Sequence, residues 1–285
     1  MSDHTRNAFT PAEIKAFAPA EKIGLVATVN PDGLPHVTLI TSLMANGPRK
    51  MLLGEFSKGR SKAHLQSNPR LAFLLLTMDR KMWRGRALWK SFQQEGPEYE
   101  MYNNLPMFRY NAYFGINTVH YLDLVETGPP DKLPLGRLAG SMLLTRLLRS
   151  RFRKNGSEPA LKPYARRKIF NNPGALKFVS LVGADGFPVL FPIVQCQAAD
   201  AGRLVLAPFP YREELALIPE NSVVAVFGLT MAMESVLVRG RLRHEKTGPG
   251  LSALVVDIDW VYNSMPPCHG RIYPSPDLSP VRDFN

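Results

Sequence analysis

Short apolar, β-branched runs separated by turn residues set the pattern of this chain. Residues 23–29 form one such run, and Asn30-Pro31-Asp32-Gly33 follows with hairpin-turn chemistry. A second strand is predicted over 35–42, with Pro35 tolerated at its first position, and a third over 50–54. A short helix is expected over 61–66, stopped by Asn68-Pro69. Residues 71–78 lack alternation and read as a strand buried on both faces; 82–90 and 118–125 complete the set. The same order then returns, with strands at 176–182, 188–197 and 203–207, a helix at 213–217, and strands at 222–229, 235–243 and 253–262.

The second set is a repeat of the first. Asp32-Gly33-Leu34-Pro35 recurs 153 positions later as Asp185-Gly186-Phe187-Pro188. The same offset aligns Leu25-Val26 with Phe178-Val179, Phe56 with Phe209, Asn68 with Asn221 and Ala72 with Ala225. A two-residue slip brings Arg84-Gly85-Arg86 onto Arg239-Gly240-Arg241. Six short strands and one small helix per copy fit a barrel better than a sandwich. The expected division is an N-terminal helix in 1–19, a first barrel over 20–128 with a helical insertion at 93–117, a linker over 129–173, a second barrel over 174–275 and a tail over 276–285.

Helical patterns lie outside the repeats. Thr10 is placed to cap a helix over 11–17. Another helix is expected over 97–107. A third, over 135–149, sets Leu135, Leu138, Met142 and Leu143 on one face, the pattern of a bridging helix packed on a barrel.

With 285 residues, 45% hydrophobic and 21% charged, the chain can bury a sizeable core. The longest apolar run, 71–78, is far short of the roughly 18 residues of a membrane span. Two cysteines, Cys196 and Cys268, make no disulfide framework, and the N-terminus lacks the pattern of a secretory leader, so a cytoplasmic location is expected. Residues 141–170 hold nine basic side chains against the single acid Glu158, a net +8 of the chain's +11. Such concentration reads as a property of a connecting segment. No nucleic-acid partner is expected, although a membrane-surface or nucleic-acid contact through 141–170 stays open as a rival.

Chemistry concentrates at Ser57-Lys58-Gly59-Arg60-Ser61-Lys62. Helix starts attract acids, yet here three cations crowd one, with two hydroxyls and a glycine among them. A phosphate dianion would satisfy the cations, the hydroxyls and the helix end together. The second copy has Glu213 and Glu214 at the matching place, which suits the dipole with no ligand. Elsewhere the histidines are scattered without metal-ligand spacing, so no metal is expected, and Cys268-His269 reads as an ordinary loop pair. No nucleophile elbow or dinucleotide loop is present.

Three segments carry a resemblance: Gly24-Leu25-Val26-Ala27-Thr28-Val29-Asn30-Pro31-Asp32-Gly33-Leu34-Pro35-His36-Val37, then Arg60-Ser61-Lys62-Ala63-His64, then Asn68-Pro69-Arg70-Leu71-Ala72-Phe73. Together they resemble the pyridoxamine 5′-phosphate oxidase-like, FMN-binding split barrels. The resemblance implies a β-barrel fold with added helices (α+β): tandem split barrels forming a pseudo-dimer within one chain. It implies FMN as cofactor, its phosphate held by Arg60, Ser61 and Lys62, with Ser57 and Lys58 added on their chemistry. The second strand would run along the flavin ring, which implicates His36, Val37, Thr38, Leu39, Ile40, Thr41 and Ser42. Glu55 and Phe56 would lie near the ribityl chain or ring. Lys81 or Arg84 could supply a cation to the reduced flavin. Arg239 and Arg241 could wall the site, or be surface charge on a strand. Aromatics of the insertion, Tyr99, Tyr102, Phe108, Tyr110, Tyr113 and Phe114, could roof it or form a helical cap.

The function that follows is an FMN-dependent oxidoreductase acting on a small organic molecule. The alternative is a non-catalytic carrier or sensor of flavin, deazaflavin or haem. Further homodimerisation is left open.

Overall fold

In the computed structural model the described residues are 5–18, 21–56, 59–105, 115–154, 160–248, 251–263 and 270–274. The chain divides into two compact units, Met1–Arg137 with Phe178–Pro192, and Leu138–Lys177 with Ile193–Asn285.

The first eight strands are β1 (Lys22–Val29), β2 (Pro35–Leu39), β3 (Met44–Ala45), β4 (Lys50–Glu55), β5 (Arg70–Thr77), β6 (Lys81–Gln93), β7 (Thr118–Thr127) and β8 (Asp131–Lys132). They form one antiparallel sheet in the order β2-β1-β5-β6-β7-β4-β3, with β8 paired to β6. The second set is β9 (Leu176–Val182), β10 (Pro188–Pro192), β11 (Gln197–Ala198), β12 (Arg203–Leu206), β13 (Val223–Leu229), β14 (Ser235–Gly248), β15 (Leu251–Asn263) and β16 (Gly270–Tyr273). Its order is β10-β9-β13-β14-β15-β12-β11, with β16 on β15. Both orders are the same permutation, so the fold is a tandem of split barrels.

Several backbone hydrogen bonds recur at the same 153-residue offset. Ile40 N–H donates to Gly24 O and Ile193 N–H to Lys177 O; Leu43 N–H donates to Ile40 O and Cys196 N–H to Ile193 O. Trp89 N–H donates to Pro69 O and Leu242 N–H to Ser222 O. Every partner in the second copy stands 153 positions after its counterpart. Even where the side chain changed, its target did not. The Ser42 hydroxyl donates to Gly54 O at 2.7 Å, and the Gln195 amide to Ala207 O at 3.1 Å.

Two strands expected to be continuous are broken. Residues 35–42 leave the ladder after Leu39, because the chain turns across Gly24, where a Cβ would collide with the Ile40 carbonyl. Residues 188–197 leave it at Pro192, which has no N–H to give, and rejoin only at β11.

The first core gathers Val26, Leu71, Phe73, Leu75, Trp83, Ala87 and Leu122 inside the first sheet. Helix α1 (Pro11–Phe17) adds Phe17 to that core. Thr10 and Glu13 form a reciprocal capping box at its start. Helix α2 (Arg60–Ser67) and helix α3 (Pro97–Asn104) follow in this unit. The hairpin of β9 and β10 belongs to the same unit, its turn held by Arg86, which pairs with Asp185 at 2.6 Å and lies over the Phe187 ring.

Helix α4 (Leu135–Leu148) corrects the expected face. Its buried residues are Leu138, Ser141, Thr145 and Leu148, whereas Leu135 and Leu143 are exposed, Leu143 by 60%. Hydroxyls decide the orientation. Ser141 Oγ donates to Phe209 O, and Thr145 Oγ1 accepts from Ala207 N–H at 2.9 Å. Backbone groups beyond β12 are thereby paired, and leaving them unpaired would cost more than exposing two leucines. The second unit's small helix is α5 (Arg212–Ala216), which carries Glu213 and Glu214 in its first turn.

Candidate functional site

The eight residues of α2 bury Ser61, His64 and Leu65, the i, i+3, i+4 face of a short polar helix, and stop before Asn68-Pro69. Gly59 is the N-cap. No side chain caps the helix, and its first turn holds no acid. The N-terminal end of the helix dipole therefore meets cations, a repulsive arrangement. Arg60 is exposed. Lys62 Nζ folds back to 3.5 Å from where a Cβ on Gly59 would stand. Burial pushes the Lys62 ammonium below its ordinary value, and the Glu55 carboxylate pulls it the other way.

Beneath the cations lies a set of buried polar pairs. Ser61, 1% exposed, places Oγ 2.6 Å from Thr38 Oγ1. One turn on, His64 Nδ1 is 3.1 Å from Thr28 Oγ1, and its ring meets that of His36 edge-on at 5.0 Å. The β1–β2 register explains the grouping. Val26 faces Thr38 and Thr28 faces His36, so alternate residues of β2 come up under α2.

Glu55, at the end of β4, completes the site from a third direction. Its Oε2 lies 2.7 Å from His120 Nε2, and His120 Nδ1 lies 3.1 Å from Trp89 Nε1. An indole N–H only donates, so Nδ1 must accept and Nε2 carries the proton. His120 Nε2 therefore donates to the Glu55 carboxylate, the same group that acts on the Lys62 ammonium. Position-based reading did not single out His120 or Trp89. The signal was there in β7, where His120 shares its parity with Leu122 and Leu124 of the core.

The other expected site residues fall as follows. Val37 and Ile40 are buried, and Leu39 and Thr41 half-buried. Ser42 is committed to β4, accepting from Gly54 N–H at 3.0 Å as well as donating to its carbonyl. Phe56 packs on a small apolar cluster of Leu52, Tyr102, Ile116 and Val119. Lys81 pairs with Asp79 across the β5–β6 turn at 2.9 Å and is not brought to α2. Arg84 is half-buried, opposite Leu74, in the row that continues through Leu25 to Leu39. Arg239 lies over the Trp260 ring at 4.0 Å, and Arg241 reaches Asn221 O at 3.4 Å. Of the insertion's aromatics, Tyr102 is core, its hydroxyl donating to Ser42 O at 2.7 Å, and Tyr99 packs against that same cluster. Ser57, Lys58, Phe108, Tyr110, Tyr113, Phe114, Cys268 and His269 lie outside the described residues. Among the described residues no group of three or more His, Cys, Asp or Glu could hold a metal. No described helix is long and apolar enough to cross a membrane.

Residues 10–110 match the family model described as pyridoxamine 5′-phosphate oxidase. Solved structures similar to this chain include an FMN-binding protein from Syntrophomonas wolfei subsp. wolfei, 17% identical, covering 42% of this chain and 84% of its own, with a TM-score of 0.35. HupZ from Group A Streptococcus is 15% identical over 42% of this chain and 91% of its own, with a TM-score of 0.35. An F420 reductase is 16% identical over 42% and 98%, with a TM-score of 0.34. No curated protein matches the sequence.

Proposed function

We propose that this chain, whose residues 10–110 match the pyridoxamine 5′-phosphate oxidase family model, binds FMN at the start of α2 and acts as an oxidoreductase on a small organic molecule. The observation that carries the reading is the uncapped, acid-free start of α2, where Lys62 folds over Gly59 with Arg60 beside it. A phosphate fits that corner. The glycine adds no side chain to block approach, the backbone N–H groups of the first turn point outward along the axis, and two cations flank them.

The residues divide the work. Lys62 and Arg60 neutralise the phosphate, while the Ser61–Thr38 pair fixes β2 against the helix. Glu55, held by His120, opposes the effect of burial on Lys62 and favours its charged form. Arg84 is the cation nearest in register to the half-buried stretch of β2. When bound, FMN supplies hydride and electron transfer, and the chain's own part is to orient it and exclude water.

Titration of the purified protein with FMN and with riboflavin, followed by flavin fluorescence, tests the reading. FMN should bind more tightly than riboflavin. Lys62→Ala should cost the FMN complex about 1.5–3 kcal/mol, roughly ten- to a hundredfold in affinity, and leave riboflavin binding nearly unchanged. Equal affinity for the two flavins, or no response to Lys62→Ala, would overturn it.

A further inference from the structure

Within the second unit, Arg146, Arg149, Arg153, Lys154, Arg166 and Arg167 of the basic stretch 141–170 line two adjoining cavities. One, of about 460 Å³, is lined by Met142, Leu143, Pro173, Arg146, Arg149 and Lys177. The other, of about 420 Å³, is lined by Arg149, Arg153, Lys154, Arg166 and Arg167, with Asp200 as its one carboxylate. Arg149 and Asn171 line both.

The acid's two oxygens accept from the backbone N–H groups of Lys154 at 2.8 Å and Gly202 at 2.7 Å, and its single charge stands against the five cations of that lining. Among the described residues Arg146, Arg149, Arg153, Arg166 and Arg167 pair with no carboxylate. Burial, together with Arg146 and Arg153, pushes the Arg149 guanidinium below its ordinary value, the mark of like charges held close. A fold that gathers guanidinium groups around one concave space keeps an unfavourable field unless an anion fills it.

The halves differ in kind. The smaller cavity sets five cations beside Asn171, Ala198, Ala199 and Asp200, and the larger adds the apolar side chains of Met142, Leu143 and Pro173. We propose that this double cavity binds a ring-bearing organic diphosphate of the nucleotide class. The diphosphate lies among Arg149, Arg153, Arg166 and Arg167, and the ring lies against Met142, Leu143 and Pro173. Planar guanidinium forks suit phosphate oxygens, and the combined volume suits one small ligand. None of the lining residues is the counterpart, 153 positions on, of Arg60, Ser61 or Lys62, so this site is not the second copy's equivalent of the start of α2.

The test is calorimetric titration of the full-length protein with ADP, AMP, pyrophosphate and adenosine at near-physiological salt. ADP should bind once per chain, and each of the other three more weakly, by about tenfold or more. The double substitution Arg149→Ala/Arg167→Ala should weaken ADP by about a hundredfold with an unchanged circular dichroism spectrum, whereas Lys62→Ala should leave ADP binding intact. Loss of ADP binding in Lys62→Ala would place the ligand at α2 and overturn the proposal. So would a wild type that ignores ADP, pyrophosphate binding equal to ADP, or arginine-dependent binding found only with phosphatidylserine vesicles or duplex DNA.

Discussion

Lys177 offers a direct test of the energetics of the second unit. It stands in β9 where the first copy has Gly24, and its side chain is wholly buried. Nζ donates to Asn172 O at 2.7 Å and more weakly to Val194 O at 3.4 Å. Burial pushes its ammonium from the ordinary 10.5 down to about 8. Between those two values the unfolded chain holds a proton that the folded chain has released, so stability rises with pH across the window. At 1.36 kcal/mol per pH unit the gain comes to about 2.5 kcal/mol by pH 10. Cys196 nearby does not blur the folded-state reading, since burial pushes its thiol up to about 12. Lys177→Met removes the titration while keeping the volume. Urea unfolding of both proteins at pH 7 and pH 10 isolates the effect, because the other titrating groups cancel in the difference. The stability of the variant relative to wild type should be more favourable at pH 7 than at pH 10 by about 2.5 kcal/mol. Two stability differences that agree at both pH values would refute the reasoning.

Thr145→Val keeps the shape of α4 but removes the acceptor of Ala207 N–H. It should destabilise by about 1–3 kcal/mol in the same unfolding assay, whereas Leu143→Ser on the exposed face should cost nearly nothing. Glu13 is raised by burial but lowered further by hydrogen bonds from Thr10 and Arg6, so its carboxyl ends below the usual 4.5. The stability it adds is therefore present above that value and lost as pH falls through the folded one. Glu13→Gln should remove about 1 kcal/mol at pH 7 and lose less at pH 3, read from urea midpoints.

Much of the fold was legible because it is local or repeated. The Asp-Gly-x-Pro turns, the Asn-Pro stop after α2 and the Thr10 cap each fix backbone geometry with neighbouring residues. Doubling then made each weak signal a pair. The face of α4 was misread because apolar spacing outweighed two hydroxyls whose partners, Ala207 N and Phe209 O, are more than sixty residues away. At the candidate site, the cations at the start of α2 were visible as a local anomaly. The Trp89–His120–Glu55 chain was not, since strand register alone brings those three together. The fate of Ser61 was equally hidden, because its partner Thr38 lies on a strand more than twenty residues earlier.

The matched contacts of Ser42 and Gln195 say something about how such a chain diverges. A hydroxyl and a carboxamide differ in length and in chemistry, yet both reach the same carbonyl of the strand beyond. What the two halves inherited in common is an obligation of the main chain, open to any polar group long enough to meet it. Kinship between duplicated barrels is then better measured by comparing which peptide groups are met than by counting shared letters.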